Sequence, residues 1–130
     1  MKKIFPLLLI AAVTLTTGCK SDEEKINDVA YKYSFAMANY DVATAEKYAT
    51  HETKTTTLVV ARQLIERVGN KYIQSDTPAT ITIEDINILN DTSAIATYHK
   101  TTPIKDFRGP LELRKRNHRW LAHATIPVQE

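Results

Sequence analysis

Thr80-Ile81-Thr82-Ile83-Glu84-Asp85-Ile86-Asn87-Ile88-Leu89-Asn90 is the stretch where the apolar period of the chain changes. Ile81 and Ile83 alternate with Thr80, Thr82 and Glu84, the period of 2 that marks a strand with one buried face. Ile86 and Ile88 continue the alternation after a phase-preserving or bulged step, and Leu89-Asn90-Asp91 turns the chain. Downstream, the pattern predicts strands from Ser93 to Lys100, Phe107 to Lys115 and Arg119 to Ile126, with Arg116-Asn117-His118 as the last hairpin tip.

Upstream of this stretch the period is that of a helix. Ile26, Val29, Ala30, Tyr33, Ala36, Met37 and Tyr40 recur at helical spacing, so a first amphipathic helix is predicted over about 24–39. Asp41 is placed to cap a second over Val42 to Ala49, its carboxylate accepting from free N–H groups of the first turn. The threonines between Thr50 and Thr57 are poor helix formers but good caps. A third helix is expected over roughly 55–68, with Leu58, Ala61, Ile65 and Val68 on one stripe and Gly69-Asn70 as its stop. Helices first and strands after predict an α+β fold: N-terminal helices packed on one face of a curved, four-stranded antiparallel sheet.

The composition fits one modest core. Of 130 residues, 43% are hydrophobic and 25% charged, with 3 Gly and 5 Pro, which argues against collagen-like, disordered and coiled-coil chains. A single cysteine excludes an internal disulfide framework. The first residues decide the charge balance and the address. Met1-Lys2-Lys3 is followed by an apolar run from Ile4 to Leu15, then Thr16-Thr17-Gly18 and the cysteine, Cys19. Charged start, apolar centre and small-residue cut site make a secretory signal peptide. The run is too short for the roughly 20 residues of a spanning helix. Removing Lys2 and Lys3 leaves 15 basic against 15 acidic residues, so net charge gives no support to a polyanion partner.

Cys19 directly after Gly18 resembles the lipobox of bacterial lipoproteins, with Thr16 standing where Leu is commonest. That resemblance implies a leader over residues 1–18, Cys19 as the lipid attachment site, and a membrane partner reached through the acyl chains. An acidic tether over 19–25 and a folded domain over 26–130 follow. The Ser21-Asp22-Glu23-Glu24 run is similar to an export signal that some Gram-negative groups use for surface lipoproteins; it is also what favours the positive N-terminal end of a helix. The expected location is the outer membrane, facing the periplasm or the cell surface.

Three segments carry a second resemblance. Asn39 through Thr50, Asn90 through Ala96 and Leu111 through Leu121 are similar to the helical turn, the turn-then-strand segment and the closing hairpin of small nuclear transport factor 2-like lipoproteins. These belong to a domain of unknown function, some members of which carry a lumazine-binding label. Two departures stand out: Tyr40 precedes Asp41 where Gly is common, and Asn117-His118 replaces a Gly-containing tip. The likeness implies a cone-shaped sheet around helices, with a pocket at its open end and no catalytic residues.

Candidate chemistry is sparse. Tyr31, Tyr33 and Tyr40 are assigned to the first helix, as core residues whose hydroxyls reach the rim. Leu111, Leu113, Trp120, Ala122 and Ala124 are expected to face inward. His99 shares a strand face with Ile95 and Thr97; it is expected as a strand-end histidine at the surface, and only were that face inward would it sit near the pocket mouth as a base. His51, His118 and His123 share no ligand spacing, so no metal or other cofactor is expected. The closing hairpin sets Lys105, Arg108, Arg114, Lys115, Arg116 and Arg119 against Asp106 and Glu112. Without interleaved aromatics this does not point to nucleic acid; it reads as a solvated edge or a rest on anionic headgroups. The leading expectation is a non-catalytic, membrane-anchored lipoprotein that binds an apolar small ligand or a protein partner. The alternatives are an enzyme of the same fold using a Tyr/His pocket, and an inhibitor or assembly subunit.

Overall fold

A computed structural model describes residues 20–125. Helix α1 runs Asp22–Ala38, α2 Val42–Glu46, α3 His51–Thr55 and α4 Thr57–Ser75; strands β1 Thr80–Asn90, β2 Ser93–Thr101, β3 Asp106–Arg116 and β4 Arg119–Ala122 follow. The strands form one antiparallel sheet in the order β1-β2-β3-β4. The α+β architecture read from the sequence is the one observed.

Helix α1 begins earlier than predicted because Ser21 caps it, its hydroxyl accepting the Glu24 N–H at 3.2 Å. Asp22, Glu23 and Glu24 fill the first turn, where carboxylates meet the positive end of the helix. Most of the predicted acidic tether is therefore helix. Asp22 also accepts the Trp120 indole N–H at 3.2 Å, tying the start of α1 to β4.

α1 lies across all four strands. Its Ile26, Ala30, Tyr33 and Ala36 are buried against Ala94, Ala96, Leu111, Leu113, Trp120 and Ala122. The inward faces of β3 and β4 match the sequence reading. In β1 the expected irregularity is a bulge between Ile83 and Asp85, so Ile81 and Ile83 before it and Ile86 and Ile88 after it share the inner face. Without that extra residue the second pair would turn outward.

Other elements also depart from the predictions. Helix α2 stops at Glu46, because Ala49 bridges Ala122 and the edge of β4 claims the chain: Ala122 N–H donates to Tyr48 O at 2.7 Å and Thr50 N–H to Ala122 O at 2.9 Å. The threonine-rich stretch holds a separate short helix, α3, capped by Thr50. Helix α4 does not end at Gly69, where φ is +79° and the axis kinks; it resumes to Ser75. Three of its four stripe residues are used, since Leu58 is buried and Ala61 and Ile65 pack on the core, while Val68 is exposed. β4 ends at Ala122, short of the expected 126, because Ala124 is drawn to α3 and α4: its N–H donates to Thr53 Oγ1 at 3.0 Å and its carbonyl accepts from Thr57. Residue 126, like Cys19, lies outside the described residues.

The α1–sheet contact rests on small side chains, and it should not tolerate large ones. Ala96→Leu is expected to wedge the layers apart and cost about 1–3 kcal/mol, read as a lower urea midpoint at unchanged slope.

Candidate functional site: the cavity between the first helix and the sheet

Along the inner face of β2 the side chains run Ala94, Ala96, Tyr98 and Lys100. The first two are fully buried under α1. The last two are long, and where they stand a cavity of about 300 Å³ opens, lined by Tyr33, Ser34, Met37 and Ala38 of α1, Tyr98 and Lys100 of β2, Pro110 and Leu111 of β3, and Ala124.

β3 shapes the rim. Gly109 is paired with Tyr98 and Phe107 with Lys100. A Cβ at Gly109 would stand 2.7 Å from Phe107 Cε1, so the missing side chain lets the Phe107 ring lie along the strand. The Tyr98 and Phe107 rings pack at 6.0 Å, tilted by 49°. Lys100 Nζ sits 6.0 Å from the Phe107 centroid. Burial pushes the Tyr33 phenol up to about 12 and raises Tyr98 as well, so both hydroxyls stay protonated near neutral pH. Burial lowers the Lys100 ammonium, and neighbouring Lys105 lowers it further, with Asp76 acting against them.

One end of the cavity region is fastened by a buried carboxylate. Asp76 follows α4 and its side chain is 2% exposed. It accepts from Tyr40 OH at 2.6 Å and Thr102 Oγ1 at 2.6 Å, and meets Lys105 Nζ at 3.1 Å. Beside it, Asn39 pairs with Ala79 through both its amide groups, donating to the carbonyl at 3.3 Å and accepting the N–H at 2.9 Å. Burial pushes Asp76 up, but the two hydroxyls and the ammonium outweigh it and hold the carboxyl below the usual aspartate range.

Of the tyrosines assigned to α1, only Tyr33 lines the cavity. Tyr31 points outward, stacked on Phe35 at 5.7 Å. Tyr40 lies beyond the helix in left-handed backbone, φ +63°, a conformation that glycine adopts without strain. Here the hydroxyl's bond to Asp76 offsets the strain.

His99 is on the other side of the sheet. Because β2 turns its alanines inward, Ile95, Thr97 and His99 face out, and His99 Nε2 meets Asp106 Oδ1 at 2.6 Å. Among the described residues no histidine or carboxylate lines the cavity with Tyr33. His118 occupies the hairpin tip at φ +64°, with Asn117 at +52°. His123 Nδ1 is 2.9 Å from Thr50 Oγ1 and 3.5 Å from Glu52 Oε2. Among the described residues no group of three or more His, Cys, Asp or Glu is arranged to hold a metal ion. The basic hairpin is largely neutralised: Lys105, Arg108, Arg114, Lys115 and Arg116 each meet a carboxylate at 2.5–3.6 Å.

No protein-family model matches this chain, and no curated protein matches it. Solved structures do. A crystal structure of a Campylobacter jejuni protein, provisionally named an NTF2-like transpeptidase, is 20% identical, covers 81% of this chain and 100% of its own, and superposes at a TM-score of 0.59. An NTF-2 like protein of unknown function from Shewanella oneidensis MR-1 is 13% identical, with 82% and 100% covered and a TM-score of 0.57. The fold is nuclear transport factor 2-like, as the resemblance in sequence implied.

The Asp76 cluster has a pH signature. A carboxyl whose folded pKa is depressed stabilises the fold above its unfolded value of about 3.9 and loses that contribution as pH falls through the folded value. Asp76→Ala is expected to cost about 2–3 kcal/mol near neutral pH. Urea unfolding at several pH values should also show a shallower acid limb than in the parent protein.

Proposed function

We propose that the mature protein is a non-catalytic, lipid-anchored module that holds a small ligand with an apolar body in the cavity between α1 and the sheet. The observation carrying this is the make-up of that cavity. Met37, Ala38, Leu111 and the tyrosine rings offer apolar contact, while the histidine that an enzyme would use as a base faces the opposite side. A cavity of about 300 Å³ is at the small end of ligand sites, which run roughly 300–1,000 Å³.

The anchor reading comes from the leader and Cys19. Acyl chains worth about 0.8 kcal/mol per buried CH₂ would make attachment nearly permanent. The chain enters α1 at Asp22, so the domain would stand within a few residues of the lipid surface. Among the described residues no helix is long and apolar enough to cross a membrane. Ser21 and the three acidic residues after it already serve as the cap and first turn of α1. The run needs no export role, and the orientation proposed is the periplasmic face of the outer membrane.

Cys19→Ser should move the protein from the membrane fraction to the soluble fraction, with loss of the acyl mass from its amino terminus. A variant that still sediments with membranes refutes the anchor. Protease added to intact cells should leave the protein uncut, whereas the same treatment of broken cells should degrade it. Cleavage on intact cells would instead establish surface display. For the cavity, native mass spectrometry should detect a small-molecule adduct that Ala38→Phe, a cavity-filling change, abolishes while circular dichroism stays unchanged.

A further inference from the structure

The charges around the cavity do not balance. Lys100, Lys105 and Asp76 are near enough to influence one another. Asp76 is fully engaged, accepting from Tyr40 and Thr102 and paired with Lys105. The three groups therefore leave one positive charge over, and it sits on Lys100. Every carboxylate–cation pair found among the described residues involves some other cation, while Lys100 lines the cavity. The Phe107 ring at 6.0 Å gives the ammonium a partner of modest strength, on the order of 0.5–1 kcal/mol.

Taking the cavity reading above as its basis, we propose that the ligand is a small organic anion, a carboxylate carried on an apolar or aromatic body, with Lys100 as its counter-charge and the Tyr33 and Tyr98 hydroxyls as donors. Three features argue for this class. An ammonium partly withdrawn from water beside a second ammonium is relieved by an incoming negative charge. Phenols held protonated by burial donate to an anion at no cost in ionisation. The rest of the lining, Met37, Ala38 and Leu111 with the rings of Tyr33 and Tyr98, suits an apolar or aromatic body and offers no second charge.

Two probes of one shape separate the charge from the cavity. Isothermal titration near neutral pH with 2-naphthoate, which is ionised, and 2-naphthol, which is not, should give at least about tenfold tighter binding of the carboxylate. Lys100→Gln should erase that preference by weakening 2-naphthoate about tenfold while 2-naphthol is unchanged. Lys100→Arg should keep it. Equal affinity for the two probes, or a preference that survives Lys100→Gln, overturns the anion assignment and leaves the cavity reading standing. Absence of binding by either probe, or binding indifferent to Ala38→Phe, overturns the cavity reading and the anion assignment together.

Discussion

The structure depends on how closely one helix approaches one sheet. α1 crosses all four strands, and at the crossing the side chains between the layers are mostly alanine: Ala30 and Ala36 from the helix, Ala94, Ala96 and Ala122 from the sheet. Small residues allow a short interlayer distance, so dispersion contacts between backbones replace those that bulky side chains would make. The larger core residues, Ile26, Leu58, Leu113 and Trp120, are set around this contact. The cavity follows from the same geometry. Where β2 passes from Ala96 to Tyr98 and Lys100, the filler changes from methyl groups to long side chains, and these line space without closing it.

A second constraint holds the far end. Asp76 gathers the end of α4, the left-handed Tyr40 after α1 and the β2–β3 connection around one carboxylate. A buried charge with three donors resists substitution because its removal takes a partner from each of them at once. Tyr40 illustrates the trade: a non-glycine residue at φ +63° costs on the order of 1–2 kcal/mol, and its hydroxyl recovers much of that at Asp76. The same carboxylate explains why α4 continues past Gly69, since the final turn delivers Asp76 to its partners.

Much of the fold was legible in the sequence. The switch of period at Ile81, the bulged step before Ile86, the Asn117-His118 tip and the inward parity of Leu111, Leu113, Trp120 and Ala122 are local signals, and each appears as read. The site was less legible because its key choice is relative. On β2, Ile95 looks a better core residue than Ala94 or Ala96, and taking it as buried puts His99 at the pocket. The packing of α1 demands the alanines instead, which turns His99 outward and Tyr98 and Lys100 inward. A lysine reads as surface in isolation. Its parity with the two alanines, and the lone glycine opposite Tyr98, are the signals that could have found it. Tyr40 was misplaced because helical spacing carries no information about the residue that follows a helix end.

The parallel bridge between Ala49 and Ala122 covers the end of the β4 edge, since Tyr48 and Thr50 already occupy the outward hydrogen-bonding groups of Ala122. On the opposite side, β1 keeps its outward-pointing amides, interrupted by the bulge at Ile83–Asp85. At Ala122 an incoming strand would first have to peel away the loop before α3, so resistance to self-assembly at that point resides in two backbone hydrogen bonds.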